Sequence, residues 1–198
     1  MFHTAHRAAN RVTSVRAWNV VAVTPAAVNQ ELTTHPLLPT GRMLDAEAMR
    51  LYIGPYIGLT AAFVREASFR GEGCMRFSDD DTLRAHEWYA TRPVWPTETD
   101  DNRSLSVDPT HVHMQNGSTQ PRHRAERLHA LGMVAALQQF AKLEGLVSYV
   151  DATNFASLKS CVRMGYATVG RVAFFRLGKS HLRHRTPGCA RYGVVITA

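Results

Sequence analysis

The chain has 198 residues, of which 45% are hydrophobic and 20% are charged. This length gives one domain or at most two, and the composition is that of a globular protein, which excludes a disordered chain and a coiled coil. No stretch approaches the roughly 18 to 20 apolar residues of a membrane span, and the N-terminal residues lack the apolar core of a signal peptide, so we expect a cytoplasmic protein. Three widely spaced cysteines without a CxxC pattern favour a reduced compartment.

Positive charge is concentrated in the C-terminal part of the chain. The net charge is +7, but residues 1–120 carry 11 basic and 13 acidic side chains, whereas residues 121–198 carry 12 and 3. Such a basic segment indicates an anionic partner: a nucleic acid, a phosphorylated cofactor, an acidic protein or a membrane surface. The alternative is a general preference for arginine without any binding meaning, because only Lys142, Lys159 and Lys179 are lysines.

The first half of the chain predicts a strand, short helices and a hairpin. Thr24-Pro25 is typical of a helix start, and Asp45 can cap a second helix that Pro55 interrupts. The acidic run at 79–81 is predicted to form the hairpin turn rather than a cation site. In chain order we predict a strand at Val12–Val23, a helix at Pro25–Thr33, a loop at 34–44, a helix from Asp45 that resumes over Ala61–Ser68 and stops at Gly71 or Gly73, strands at Gly73–Ser78 and Thr82–Thr91, a mobile loop at 93–110 and a strand at His111–Gln115.

The second half alternates more regularly between helices and strands. Apolar residues from Leu128 to Ala141 recur at helical spacing, and Gly145 is predicted to end that helix. Asn154 caps a further helix that ends at Gly165. The remaining predicted elements are strands at Leu146–Val150, Val169–Leu177 and Tyr192–Thr197 and a basic surface loop at Leu182–Arg191. The order of elements predicts an α+β fold with a central, mixed but mostly antiparallel sheet flanked by helices.

A cluster of arginines lies at the start of the first of these helices. In the segment PRHRAERLHALGMVAAL, Arg122, Arg124 and Arg127 surround the point where unpaired N–H groups and the positive end of the helix dipole face outward. This arrangement is typical of an anion site and suits a pyrophosphate.

Together with the later segment DATNFASLKSCVRMGY, this helix start resembles the GNAT acyltransferase superfamily. Pro121 and Arg124 match the proline and arginine of that family's cofactor loop. In the second motif, the spacing from Asn154 to Gly165 agrees with the family pattern without a gap. The second-motif positions are Asn154, Ser157 at the small position, Gly165, and Tyr166 in place of phenylalanine. The resemblance covers about residues 111–178 and implies one domain over 1–198, with 1–110 on the acceptor side, 111–178 as the acyl-CoA-binding core and 179–198 as a basic loop and last strand.

The resemblance implies a site between two parallel, splayed strands, His111–Gln115 and Leu146–Val150. Acetyl-CoA or a longer acyl-CoA would lie there, with a backbone N–H near Gly117–Thr119 polarising the thioester carbonyl, and a primary amine would attack directly without a metal. The cofactor-binding residues it implies are Gly117, Ser118, Thr119, Arg122, Arg124, Ala125, Glu126, Arg127, Leu128, His129, Asn154 and Ser157.

Two departures from the family pattern bear on this interpretation. Ala125, Arg127 and His129 stand where glycines let backbone approach phosphate closely. Cys161 stands where a tyrosine usually protonates the departing thiolate. Cys161 could act through water, Tyr149 or Tyr166 could serve instead, the step could need no protein acid, or Cys161 could be a buried residue that only packs.

The candidate general bases are Glu87 and His113, with His86 as a further possibility. Strand alternation sends His86 and Glu87 to opposite faces, so at most one of them points into the cleft. Exposed strand positions would explain all three residues equally well. Asp151 is a candidate for binding the amine or for capping a turn. The aromatic residues Trp88, Tyr89 and Trp95 would line a pocket or pack the sheet.

The leading functional hypothesis is an N-acyltransferase that moves an acyl group, most simply acetyl, from coenzyme A to a small-molecule amine or amino acid. The candidate catalytic residues are His113, Glu87 and Cys161. Alternatives are a long-chain N-acyltransferase that takes its acyl group from an acidic acyl-carrier protein, and a degenerate acyl-CoA-binding regulatory domain. Nucleic-acid binding rests on charge alone, because the chain has no RNP-type, zinc-knuckle or helix-turn-helix pattern.

Overall fold

A computed structural model describes residues 12–54, 59–79, 82–92, 104–177 and 180–197. The strands of this part are β1 Val12–Val23, β2 Arg42–Asp45, β3 Gly73–Asp79, β4 Thr82–Ala90, β5 Ser104–Ser106, β6 His111–Thr119, β7 Gly145–Asp151, β8 Ala167–Leu177, β9 Ser180–Arg185 and β10 Val195–Thr197. The α-helices are α1 Gln30–Thr33, α2 Ala61–Arg70, α3 Leu128–Gln139, α4 Phe155–Met164 and α5 Pro187–Arg191. Short 3₁₀ helices occupy Pro25–Ala27, Leu38–Thr40, Ala48–Tyr52 and Pro121–Glu126.

Eight strands form one sheet in the order β2-β3-β4-β6-β7-β1-β8-β9. Strands β6 and β7 are parallel and pair from His111 opposite Gly145 to Met114 opposite Ser148, whereas the other neighbours are antiparallel. The N-terminal strand β1 lies between β7 and β8, so the sheet joins the first and last parts of the chain. Strands β5 and β10 pair separately.

Apolar residues are buried on both faces of the sheet. On one face, α3 packs with α1 and α4 over β3, β4, β6 and β7, and its residues Leu128, Leu131, Val134 and Leu137 are buried as their spacing predicts. On the other face, α2 covers β3 and β4, while α5 and Leu105 of β5 pack with β1 and β8. The mixed sheet flanked by helices confirms the predicted fold class.

Elements with strong local signals form where the sequence predicts them. The β3–β4 hairpin and the parallel β6–β7 pair are confirmed. Asn154 caps α4 by accepting a hydrogen bond from the Ser157 N–H at 3.1 Å, and Gly165 ends that helix in the left-handed region with φ 100°. Pro55, Asp80, Asp81, Trp95 and the loop part 93–103 lie outside the described residues.

Other predicted boundaries are wrong. The helix at Pro25–Thr33 is two pieces, because Asn29 starts α1 by capping the Glu31 N–H. Residues 34–44 contain a 3₁₀ turn and most of β2, and Asp45 starts only a short 3₁₀ helix. Helix α3 ends at Gln139, and Gly145 instead begins β7, where a side chain would collide with the Val23 carbonyl.

The C-terminal part also differs from the prediction. Residues 182–191 are not a loop, because β9 pairs with β8 along its length and α5 follows. An edge strand rich in charged residues carries no apolar alternation, so its sequence does not indicate a strand. The last strand is shorter than predicted because it pairs only with the three residues of β5, which fall in the segment predicted as a loop.

Candidate active site

A cavity of about 1180 Å³ opens where β6 and β7 separate. Their pairing stops at Met114 and Ser148, although both strands continue, to Thr119 and Asp151. The walls are completed by the N-terminal part of α3, by α4 and by α1. The cavity is lined by these sequence-predicted site residues: Gly117, Ser118, Thr119, Arg124, Ala125, Arg127, Leu128, His129, Asn154, Ser157 and Cys161.

Strand β6 carries a bulge at the cavity. Between the pairs His86–Ser118 and Trp88–Gln115, two residues of β6 oppose the single residue Glu87 of β4. One of these two, Asn116, has φ 43°, a left-handed conformation that asparagine tolerates better than most residues. Bulges of this kind bend a strand and expose backbone groups, and they are common next to active sites. Here the bulge lies on the cavity wall at the point where β6 leaves β7.

The start of α3 forms the second wall. Arg127 precedes the helix with φ 58°, and its side chain forms no capping hydrogen bond to this helix. Arg124 and Arg127 are exposed and line the cavity, and Arg127 also lies 3.5 Å from Glu31 of α1. Arg127 occupies a position where the GNAT motif has glycine. Its backbone is left-handed, a conformation that glycine adopts more readily than other residues. An uncapped helix start with two arginines is suited to bind an anion.

Two predicted cofactor-binding residues lie outside the cavity wall. Arg122 is exposed on the 3₁₀ helix before α3. Glu126 pairs with Arg84 of β4 and with Nδ1 of His123 at 2.5 Å. These contacts hold the 3₁₀ helix against the sheet, so Glu126 shapes the turn that leads into α3.

Cys161 lies in α4 with 4% of its surface exposed and lines the cavity. Burial raises the pKa of its thiol to about 11. The thiol is therefore protonated at neutral pH. Of the two tyrosines considered as alternative acids, Tyr149 lines the cavity, whereas Tyr166 is buried behind it and its pKa is raised well above the usual value by burial. Cys161 and Tyr149 are thus the two that reach the cavity.

Glu87 is almost fully buried, with 2% of its surface exposed, and it does not line the cavity. Its Oε1 lies 2.5 Å from Nδ1 of His129, and its Oε2 accepts a hydrogen bond from the Tyr89 hydroxyl at 2.5 Å. This contact between β4 and α3 was not predicted from the sequence. His129 was predicted only as a cofactor-binding residue. The available signals were two glycines, Gly117 and Gly132, whose missing side chains leave room for it.

His113 and His86 are buried rather than exposed, so the interpretation of exposed strand positions is wrong for both, as it is for Glu87. Burial lowers the pKa of His113 to about 3 and that of His86 to about 4. Neither histidine lines the cavity. His113 packs against the ring of Tyr149 at 5.0 Å, and neither of its ring nitrogens has a hydrogen-bond partner among the described residues.

The remaining candidates have structural contacts. Asp151 accepts hydrogen bonds from the Thr153 N–H and hydroxyl, which lower the pKa of its carboxyl and cap the turn before α4, and it also lines the cavity. Trp88 and Tyr89 are buried in the sheet packing. Among the described residues, no group of three histidine, cysteine or acidic side chains lies close enough to hold a metal ion. None of the described helices is long and apolar enough to span a membrane.

Solved structures with the same architecture identify the fold. A GNAT-family acetyltransferase from Colwellia psychrerythraea superposes with a TM-score of 0.56 at 11% identity, over 89% of this chain and 62% of the other. A protein of unknown function from Staphylococcus epidermidis gives 0.54 at 7% identity, over 88% and 66%. A GNAT-family protein from Novosphingobium aromaticivorans gives 0.51 at 14% identity, over 81% and 65%.

The chain therefore spans less than two thirds of the length of these neighbours. No family sequence model and no curated protein sequence matches it. The similarity is one of three-dimensional structure, and it includes the open mixed sheet with its parallel pair. The chain has the GNAT superfamily fold.

Proposed function

We propose that the protein is an N-acyltransferase that moves an acyl group from coenzyme A to a primary amine. The observation that supports this most directly is the cavity between the diverging strands β6 and β7, which ends at the uncapped start of α3 with Arg124 and Arg127 beside it. An acyl-CoA can lie in this cavity with its thioester along the open edge of β6 and its phosphates at the start of α3. This donor set suits the phosphates because N–H groups and guanidinium groups both bind phosphate oxygens.

Each part of the wall then has a task. The first-turn amides of α3, with Arg124 and Arg127, hold the pyrophosphate. A backbone N–H of the bulged part of β6, near Gly117, polarises the thioester carbonyl. Asn154 fixes the start of α4 and thereby the far wall, where Cys161 supplies a protonated thiol within the cavity. Among the predicted catalytic residues, Cys161 is the candidate proton donor to the departing sulfur.

A ligand-binding and thiol-release experiment tests this function. Acetyl-, octanoyl- and palmitoyl-CoA should each be tried for a rise in melting temperature and for thiol release in the presence of pooled amines, amino acids and polyamines. We expect the double variant Arg124→Ala/Arg127→Ala to bind coenzyme A about tenfold or more weakly, since charged hydrogen bonds to phosphate are lost. Arg50→Ala is the matched control, because Arg50 is also exposed and paired with a carboxylate, that of Glu47.

The results separate the proposed function from its alternatives. No melting shift with any acyl-CoA would contradict coenzyme A binding. Binding without thiol release across the amine panel would instead favour a regulatory acyl-CoA-binding domain. Thiol release that is lost in Cys161→Ala but retained in Cys161→Ser would support the proposed proton donor.

One observation supports the carrier-protein alternative. The edge strand β9 and helix α5 expose the basic residues Arg183, Arg185 and Arg191. An acidic acyl-carrier protein would be attracted to such a surface. Under this alternative, acyl-carrier protein binds the chain and Arg183→Glu abolishes that binding, whereas coenzyme A affinity does not change.

A further inference from the structure

A hydrogen-bonded chain of three ionisable side chains runs from the sheet core to the cavity. Tyr89 and Glu87 lie two residues apart on β4, and His129 lies in the first turn of α3. The Tyr89 hydroxyl donates to Oε2 of Glu87, and Oε1 of Glu87 meets Nδ1 of His129, each at 2.5 Å. Both carboxylate oxygens are therefore engaged, and the carboxylate has one fixed orientation.

Two glycines on different elements make room for this chain. A Cβ at position 132 in the middle of α3 would lie 2.5 Å from Oε2 of Glu87. A Cβ at position 117 on the β6 bulge would lie 3.3 Å from both the Glu87 side chain and the His129 ring. Glycine inside a helix costs roughly 0.5–1 kcal/mol relative to alanine. The polypeptide therefore has a destabilising glycine in α3 at the point where the Glu87 carboxylate contacts the helix.

His129 connects the buried carboxylate to the cavity. Its side chain is 31% exposed and lines the cavity wall, whereas that of Glu87 is 3% exposed. Since Nδ1 is bonded to Glu87, Nε2 is the ring nitrogen left for a molecule in the cavity. The ring packs against Gly117, beside the backbone N–H groups proposed above to polarise the thioester carbonyl. The imidazole thus stands next to the position proposed for the reacting carbon.

The tyrosine and cysteine side chains packed around Glu87 are uncharged. Burial raises the pKa of Tyr89 and Tyr166 and also that of Cys74 on β3, so these neighbours are neutral at pH 7. Cys161 of α4 is neutral as well. A second buried carboxylate among the described residues, that of Glu72 before β3, is bonded to Arg70 and to the amide of Gln115.

The Glu87 side chain acts on the imidazole of His129. Burial alone lowers the pKa of His129, but the charge of Glu87 and its hydrogen bond outweigh this effect and raise the pKa above the usual value of histidine. The same bond holds the proton of the neutral ring on Nδ1. This leaves the lone pair on Nε2, on the cavity side.

We propose that His129 is the proton acceptor of the acyl transfer, and that Glu87, held by Tyr89, is the residue that positions it. This inference rests on the proposed function. Nε2 removes one proton from the amine nitrogen as the new C–N bond forms to the thioester carbon. As the C–S bond breaks, the imidazolium returns that proton to the sulfur, directly or through the Cys161 thiol, so the products are the amide and the free thiol. Glu87 keeps its bond to Nδ1 throughout, and thereby orients the ring and stabilises the imidazolium.

The first experiment is a pH–rate profile of thiol release for His129→Gln, Glu87→Gln and the wild-type protein, with a measured Kd for coenzyme A. His129→Gln should lower kcat by about 10² to 10³-fold, as expected for loss of a general base, with the Kd changed less than about threefold. Glu87→Gln should lower kcat less and move the acidic limb of kcat/KM to lower pH, because the charge that raises the His129 pKa is gone. His35→Gln is the control histidine, since its ring only accepts a bond from the Leu37 N–H.

The second experiment does not depend on turnover. Nitrogen-15 NMR of labelled histidine in the free protein should show His129 with its proton on Nδ1 and with a raised pKa, and Glu87→Gln should lower that pKa. A His129 pKa unchanged by Glu87→Gln would overturn the positioning role. A His129→Gln variant that retains kcat within about threefold would overturn the proton-acceptor role. If the wild-type protein binds acyl-CoA but transfers to no amine, the proposed function fails, and the NMR result still decides whether the Glu87–His129 pair exists.

Discussion

The two faces of strands β4 and β6 bury ionisable groups in opposite ways. On the face toward α3, Glu87 is buried with a hydroxyl and an imidazole as partners. On the other face, His113 is buried against the ring of Tyr149, and neither ring nitrogen has a hydrogen-bond partner among the described residues. These positions are close, since Tyr89 pairs with Met114 and Ala90 with His113.

The difference shows how burial determines the chemical role of a side chain. The Glu87 carboxylate, bonded to two partners, raises the pKa of His129 in the cavity wall. A histidine without partners loses its proton and behaves as an apolar ring, as the pKa of about 3 indicates. Three substitutions test whether burial acts differently on the two faces.

Glu87→Ala should have the largest effect on stability. It removes the buried carboxylate and leaves the Tyr89 hydroxyl and Nδ1 of His129 without this partner. Leaving a buried hydroxyl without its acceptor costs about 1 to 3 kcal/mol, and the space vacated by the side chain adds to this loss. The free energy of unfolding from urea titration at pH 7 measures this loss. Glu47→Ala, which removes an exposed carboxylate, should change it by less than about 0.5 kcal/mol. Equal effects of the two substitutions would contradict a partnered Glu87.

His113→Leu should make the protein less sensitive to acid. The folded-state pKa of His113 lies below its unfolded value of 6.5, so the unfolded state binds the proton first and stability falls as pH drops below about 6.5. Between pH 6.5 and 4.5 this one residue accounts for about 2 kcal/mol. The leucine variant should lose less stability over that range and keep its thiol-release activity. A steeper acid loss, or abolished activity at normal coenzyme A affinity, would return His113 to the list of catalytic candidates.

Gly132→Ala should have the smallest of the three effects and a sign opposite to the usual one for a helix. Alanine normally stabilises a helix interior relative to glycine, but here its Cβ would displace the Glu87 carboxylate, and we expect a net loss of about 1 to 2 kcal/mol. Combining it with Glu87→Ala tests the cause, because the added methyl then fills vacated space. The double variant should lose less unfolding free energy than the two single variants lose together. A loss equal to their sum would contradict a contact between the two positions.

Sequence reasoning succeeded where the signal is local. The cap at Asn154, the glycine that ends α4 and the arginines at the start of α3 all lie within a few residues of the structure they specify. The parallel pairing of β6 and β7 was reached only through the resemblance to a family, because alternation within one strand does not name its neighbour.

The Glu87–His129 pair could not be predicted from the sequence for a related reason. Its two residues belong to a strand and a helix far apart in the chain, and they meet only because the bulge at Asn116 and the bare helix surface at Gly132 allow it. The place of β1 between β7 and β8 was equally hidden, since its apolar run fits any central position of a sheet. Strand β9 was missed because its pairing is made by backbone groups under charged side chains.

The central position of β1 has a consequence for how the protein folds. Trp18 of β1 pairs with Asp151 on one side and Val172 on the other, so β1 joins strands that follow it by more than about 130 residues. Contacts of such long sequence separation slow folding, because the loop between the partners is closed before the contacts repay its entropy. Until β1 inserts, strands β8 and β9 have no attachment to β7 within the sheet. Trp18 also lines the cavity, so the pocket is completed in the same late step that closes the sheet.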